Sequence, residues 1–555
     1  MADETGPRAT SPEGRLRWTH ALSVSASDAS GRLFFWVVAL LVGVAAGYMA
    51  VGFRLAIDLL QTAVYGADNQ TIHSYAAGLN PFLIFIIPVI GGLAVGLILW
   101  KFTPNARAAS VSDVIHAAAL RDSRVNRKTG LASAAASLIT LSTGGSTGRE
   151  GPVVHLAAVI ASWVDDRLDH HGVTARDILG CAVAAAVSAS FNAPIAGALF
   201  ALEVVLRHYA LHAFGPIVMA SVAGAIISRI HMGEITTFVL PAKTLSFYQE
   251  IPAFMILGIV CGFVAVVLMR ALFFAEDVAD EIQEKAGTPV WIRPAVAGAM
   301  LGTLAIFFPH IIGVGYETTG KALTAQLPLW TAISFAAIKA LAVAITYAGR
   351  MGGGVFSPSI MVGALTGLAF GQVATAIFPE MSGVSGLYAL AGMGAVAAAV
   401  LGAPISTTLI VFELTGDYQA AIAVMVSVSL ASVTAHRFVW KSFFLSQLMR
   451  AGVNLADGPE GYLPAQISLR RLMRIRGGED CASDTACWAL AEQGARLTRD
   501  HTLADALPIF DRLKVDFLPI VEEEGEPVLL GAVYHVDALK ALNRALIEAD
   551  REKSA

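Results

Sequence analysis

One stretch carries both a titratable side chain and a backbone suited to binding charge. It is Gly144-Gly-Ser-Thr-Gly-Arg-Glu-Gly-Pro152, which closes the apolar segment Leu131–Thr143. Glycines let the chain turn with its amides exposed. Pro152 suits the first turn of a helix, where its missing N–H would have had no partner. A helix starting here aims its free N–H groups and positive dipole end at Glu150. Such an end binds anions. Inside lipid, irregular backbone survives only where it is buried in protein or lines a cavity. The stretch therefore reads as an intramembrane anion site that already holds a carboxylate. An acidic surface loop capping a helix is the plainer alternative.

The second half of the chain repeats these devices. Gly352-Gly-Gly-Val-Phe-Ser-Pro358 is another glycine-rich break closed by proline. Phe191-Asn-Ala-Pro-Ile-Ala-Gly-Ala-Leu-Phe-Ala-Leu-Glu203 has an echo in Gly402-Ala-Pro-Ile-Ser-Thr-Thr-Leu-Ile-Val-Phe-Glu413. Pro194 and Pro404 are offset by 404 − 194 = 210, as are the two glutamates (413 − 203 = 210). Interrupted segments at corresponding places in two halves point to a repeat-built transporter with its site at the repeat interface. Glu203 and Glu413 end matching half-helices. The repeat favours a structural role at its axis; lining an entrance is the other.

Other chemistry is thin. His116, His155 and His208 are scattered without metal-ligand spacing, so no metal is expected. Gly144–Gly148 lacks the Gly-Lys-Ser/Thr ending of a phosphate-binding loop. Cys181, Cys261, Cys481 and Cys487 form neither a ligand set nor a disulfide framework. No nucleophile–base pair converges, so an enzyme is not expected.

The elements that must position Glu150 are membrane spans. The 555 residues are 55% hydrophobic and only 15% charged, with a mean hydropathy of +0.64. Leu33–Phe53, Tyr75–Trp100, Ile178–Leu202, Ile251–Met269, Met351–Pro379 and Met381–Phe412 carry no charge. Each is close to or beyond the ~20 residues that cross a bilayer. The first helix is expected from about Leu33 to Val64, and others over Pro81–Phe102, Ser110–Leu120, Pro152–Val164, Phe214–Ile230, Ile251 towards Lys285, Trp291–Phe308 and Trp330–Tyr347. A net charge of −5 gives no reason to expect nucleic acid. Residues 1–32 are polar and have no apolar core of signal-peptide type. Arg8, Arg15, Arg17 and Arg32, then Arg121, Arg124, Arg127 and Lys128, place the N-terminus and the 121–128 loop in the cytoplasm.

After Arg450 the chain turns polar. Residues 454–500 look irregular. From Thr502 a helical pattern (Leu503, Ala506, Leu507, Phe510) gives way to a strand at Phe517–Val521, a charged turn at Glu522–Glu526, a strand at Val528–Tyr534 and a helix over Val536–Ile547. The reading is an all-α polytopic membrane protein of two repeats of broken helices, with a small α/β cytoplasmic tail.

As an ordered set, Gly148-Arg-Glu-Gly-Pro152, Gly354-Val-Phe-Ser-Pro358, Phe191-Asn-Ala-Pro194 and the 210-residue echo resemble the chloride channel (CLC) family of anion channels and proton-coupled antiporters. The resemblance covers about 33–450. The tail from 497 to 555 resembles a CBS domain, with 1–32 an N-terminal segment and 451–496 a linker or degenerate first CBS copy. The resemblance implies inverted halves, a homodimer in the plasma membrane and chloride or a similar small anion as cargo. Glu150 matches the gating glutamate. Gly148, Arg149 and Gly151, with the amides of Val355 and Phe356, match the anion-binding positions. No cofactor is implied for the membrane part, and the CBS-like tail adds an adenine nucleotide as an option.

Three positions depart from the family. Ala108-Ala-Ser-Val-Ser112 replaces its usual loop, placing Ala109 at the ion-coordinating serine, with Ser110 a substitute if the register shifts by one. The central tyrosine falls at Phe444, whose ring donates no hydrogen bond. The inner proton glutamate falls at Val204, beside Glu203. The expectation is channel-like or weakly proton-coupled anion transport. A chloride/proton antiporter is the alternative, and a fluoride exporter or a nucleotide sensor acting through the tail stand further off.

Overall fold

The computed structural model describes residues 13–68, 71–120, 123–168, 175–209, 211–233, 249–379, 384–453 and, in the tail, 455, 463–464, 467–478, 480–492, 494–499, 501–522 and 528–554. The membrane part is helical throughout. Its first half holds α1 (Glu13–Tyr65), α2 (Ile72–Ala76), α3 (Pro81–Phe102), α4 (Val111–Leu120), α5 (Arg127–Ser142), α6 (Glu150–Asp165), α7 (Ala175–Phe191), α8 (Pro194–Phe200, continued by a π-helical turn to Leu206) and α9 (Leu211–Met232). The second half holds α10 (Ile251–Ala286), α11 (Arg293–Phe307), α12 (Tyr316–Leu323), α13 (Leu329–Ala348), α14 (Phe356–Ile377), α15 (Ser385–Leu401), α16 (Pro404–Thr415) and α17 (Tyr418–Phe438). A last short helix, α18 (Phe443–Arg450), follows. Among the described residues, eight helical stretches are long and apolar enough to cross a membrane.

The expected spans fall on these helices, with one difference at the start. Helix α1 begins at Glu13, well before the apolar run at Leu33. No proline lies between them to stop the helix.

The two halves are inverted repeats, and their packing is parallel. In the first, α1 packs on α7 and α9; in the second, α10 packs on α15 and α17. Helices α7 and α15 both end in a left-handed residue, Asn192 (φ 57°) and Gly402 (φ 70°). Those are residue types that tolerate this conformation. A proline then opens each following half-helix, Pro194 for α8 and Pro404 for α16.

Small residues bring the layers together. A Cβ on Gly363 would lie 2.3 Å from the Gly392 carbonyl oxygen, and one on Gly392 would lie 2.5 Å from that of Gly363. So α14 and α15 cross backbone to backbone, the close approach that small residues permit between membrane helices.

The tail contains β1 (Arg474–Ile475), α19 (Asp484–Glu492), α20 (Leu503–Leu513), β2 (Phe517–Glu522), β3 (Val528–Tyr534) and α21 (His535–Ser554). The strands form an antiparallel sheet in the order β1-β3-β2. Thr502 and Asp505 form a capping box at the start of α20. The charged turn after Glu522 lies largely outside the described residues. The 454–500 stretch is less irregular than its composition indicates. Its helix α19 buries Cys487 and Ala491 against Val521, Leu529 and Ala532 of the sheet.

Candidate anion pathway

The two glycine-rich breaks meet each other. Gly148 N–H donates to the Gly354 carbonyl at 2.7 Å, and Gly354 N–H donates to the Gly148 carbonyl at 2.8 Å. This antiparallel bridge joins the loops before α6 and α14. The glycines are required here. A Cβ on Gly148 would lie 2.7 Å from a Glu150 carboxylate oxygen, and one on Gly353 only 2.0 Å from the Thr147 hydroxyl.

The bridge sets the first turns of α6 and α14 side by side, with Glu150 at the start of one and Phe356 at the start of the other. First-turn amides have no intrahelical partner and carry the positive end of the helix dipole. The Glu150 carboxylate lies in this field, 5% exposed. It accepts hydrogen bonds from the Ser357 hydroxyl, at 2.6 Å to one oxygen and 2.7 Å to the other. Arg149 is next to it, with Nε 3.9 Å from Oε1. The guanidinium is tied down by a hydrogen bond to the Ser190 carbonyl and lies 5.2 Å from the centre of the Tyr316 ring.

A small cavity of about 10 Å³, room for about one water-sized particle, opens beside the carboxylate. Glu150, Gly151, Val355, Phe356 and Phe444 all line it, with Val111 from α4. The structure thus brings together most of the residues singled out in the sequence. Phe356 is wedged against Phe191 and Phe200. Phe444 presents a bare ring.

Ala109 and Ser110 lie elsewhere. Ala109 N–H donates to the Ser133 hydroxyl. The Ser110 hydroxyl pairs with that of Ser112, and its N–H is held by Asp113. Ser110 lines a second cavity of about 30 Å³ with Arg107, Tyr347, Gly353 and Gln447. Ser110 and Gly353 of this cavity are chain neighbours of Val111 and Gly354, which line the cavity beside Glu150. Arg107, Glu276, Arg350 and Gln447 are shared with a vestibule of about 790 Å³, which also includes Arg450, where the tail leaves the membrane part. The vestibule and the inner cavity thus adjoin on the side where the tail leaves.

Val204 is buried, 5% exposed, in the π-helical turn after α8. Its neighbour Glu203 reaches across the repeat axis. Its carboxylate accepts from the Ile405 and Ser406 amides at 3.0 and 2.8 Å, at the start of α16. Glu413 returns the contact, accepting from the Ile195 and Ala196 amides at 2.9 and 2.8 Å, at the start of α8. Each glutamate caps the start of the other repeat's half-helix.

Three residues near the path escaped the sequence reading: Ser357, Tyr316 and Tyr347. Ser357 was visible inside Gly-Val-Phe-Ser-Pro but gave no sign of facing α6. Tyr316 opens an eight-residue helix, too short for periodicity to mark, though Gly313 and Gly315 before it are breakers. Tyr347 ends a span whose length alone had been read.

The comparisons agree with this geometry. The family model described as voltage gated chloride channel matches residues 91–436, which take in both breaks and both half-helices. A putative chloride channel protein ClcB-like from Ralstonia nicotianae is 31% identical over 421 residues, 74% of this chain and 96% of that relative. A solved slow cyanobacterial Cl⁻/H⁺ antiporter superposes with a TM-score of 0.66 at 22% identity, over 75% of this chain and 97% of its own. A solved CLC-type fluoride/proton antiporter gives 0.62 at 19% identity, over 74% and 97%. By its family model and its relative, this chain belongs to the voltage-gated chloride channel (CLC) family.

Proposed function

We propose that this protein conducts chloride or a similar small anion past Glu150 and through the inner cavity and vestibule, gated by protonation of Glu150, in a channel-like or weakly proton-coupled manner. The observation that carries the reading is the Glu150 carboxylate seated between the starts of α6 and α14. An ionised carboxylate there has the charge and place of a transported anion. A proton removes that charge and its attraction to the helix dipoles, so the side chain swings out and an anion takes its place. Gly148, Arg149 and Gly151 shape the seat, and the Val355 and Phe356 amides face the ion. Val204 offers no proton a station, which supports weak coupling. The exposed apolar side chains Ile195, Ile226, Ile405 and Met425, on the α8–α9 and α16–α17 elements of both repeats, support a homodimer. The reading places it in the plasma membrane with both termini cytoplasmic and treats the tail as a CBS-like module able to take an adenine nucleotide.

A second reading is a chloride/proton antiporter whose proton route bypasses Val204. Glu276 supports it, because it lines both the vestibule and the inner cavity beside Tyr347. Purified protein in liposomes, under opposing chloride and proton gradients, separates the two. A reversal potential that follows chloride alone supports the first; one displaced by the proton gradient at fixed stoichiometry supports the second.

A further inference from the structure

The cavity beside Glu150 takes no hydroxyl from Phe444, whose bare ring lines it. Yet a chloride ion leaves water only if other donors replace its hydration. Ser110 lines the inner cavity and not the one beside Glu150. One hydroxyl does point at the anion's place. Ser357 is 2% exposed, sits on the first turn of α14 and spans both oxygens of the Glu150 carboxylate. A Cβ on Gly148 would lie 2.7 Å from Glu150 Oε2 and 3.1 Å from the Ser357 nitrogen, so carboxylate, backbone amide and hydroxyl share one small space.

We propose that the Ser357 hydroxyl is a shared donor of the pathway: it holds the Glu150 carboxylate when the path is shut and coordinates the halide that replaces it when the path is open. This rests on the reading of Glu150 as the gate. A buried hydroxyl that loses an ionised acceptor is left unpaired, which is costly. The incoming anion restores the charge-assisted bond. The same donor thus sets both how tightly the gate is held and how tightly the anion binds, so one substitution should move both.

The other charged and titratable groups around the carboxylate are few. Arg149 precedes it on the α6 side, and Tyr316 of α12 lies against Arg149 and Ser357. Behind them, α1 contributes Arg54 and Asp58. Replacing Ser357 also removes its hydrogen bond with the Tyr316 hydroxyl, so Tyr316→Phe is the control, and a pH shift beyond the one it gives reports the bond to Glu150.

Chloride titration in detergent on Glu150→Gln, with and without a Ser357 change, tests the anion half. Glu150→Gln with Ser357→Ala should bind chloride about tenfold more weakly than Glu150→Gln alone, the loss of one hydrogen bond to a charged group. Ser357→Cys keeps the volume with a weaker donor and should fall between them. It also carries the test if the alanine variant does not fold. Liposome flux tests the gate half. With Glu150 intact, Ser357→Ala should open at higher pH, by about one unit, because removing a hydrogen bond to the charged form favours protonation. Unchanged chloride affinity in both the alanine and the cysteine variants, or an unmoved pH midpoint, would overturn the proposal. If Glu150→Gln itself keeps the wild-type pH profile, the gate reading has failed instead, and the two failures are told apart.

Discussion

The same chemical device occurs in two regions with opposite consequences. At the repeat axis, Glu203 and Glu413 each accept two backbone amides of a half-helix start, and the two clasps are reciprocal. At the α6–α14 junction, Glu150 also lies at helix starts, but one side-chain hydroxyl is its hydrogen-bond donor among the described residues. Two fixed amides belong to the backbone and cannot leave. A lone hydroxyl rotates and can serve another acceptor. A small cavity adjoins Glu150. On the proposed reading, a carboxylate at a helix start is a fixture when backbone amides saturate it and a gate when a side-chain hydroxyl holds it.

Exchanging the carboxylates for neutral groups should separate the two regions most sharply. Glu150→Gln should make anion flux insensitive to pH, whereas each pH unit above the wild-type midpoint should lower wild-type flux about tenfold. Flux assays in liposomes across pH read this directly, and an unchanged profile would erase the contrast. Glu413→Ala and Glu203→Ala should instead act on stability. Each strips two amides of a charged acceptor, costing about 2–4 kcal/mol. Thermal unfolding in detergent should show the loss, while the pH profile of surviving flux stays in place. A shifted profile in either variant would mean that the clasp also gates.

A third test probes the gap beside the clasp. With Val204 in place, a chloride gradient should drive little uphill proton movement, read with a pH dye in sealed liposomes. Val204→Glu offers a station for a proton, though an unpaired carboxylate there itself costs several kcal/mol. The smallest effect concerns the bare ring in the cavity. Phe444→Tyr adds one donor and should tighten chloride by about fivefold, or roughly 1 kcal/mol, in isothermal titration. In the wild type, nitrate or thiocyanate should compete well, because they dehydrate more readily.

Glu150 was legible because glycine, proline and a lone carboxylate in an apolar run constrain one another. The clasp was half legible. The offset put the two glutamates at matching places, but it could not show that each reaches into the opposite repeat. Ser357 was printed in the motif and still silent, since a serine on the first turn of a helix has two plausible partners, its own backbone and the neighbouring element. In the tail, alternation and the Thr502–Asp505 pair outlined α20 and β2, whereas the nine-residue α19 had too little periodicity to stand out.

The Gly148–Gly354 bridge also bears on how the molecule is made. Its two strands are 206 residues apart in the chain (354 − 148 = 206). At about 5–20 residues per second, the ribosome delivers the second strand roughly 10–40 s after the first. Through that interval Glu150 is in or near the bilayer without Ser357, and the start of α8 waits for Glu413. The first repeat is thus an incomplete body during synthesis, with its most polar surfaces open. The second repeat acts, in time as well as in space, as the template on which the first one closes.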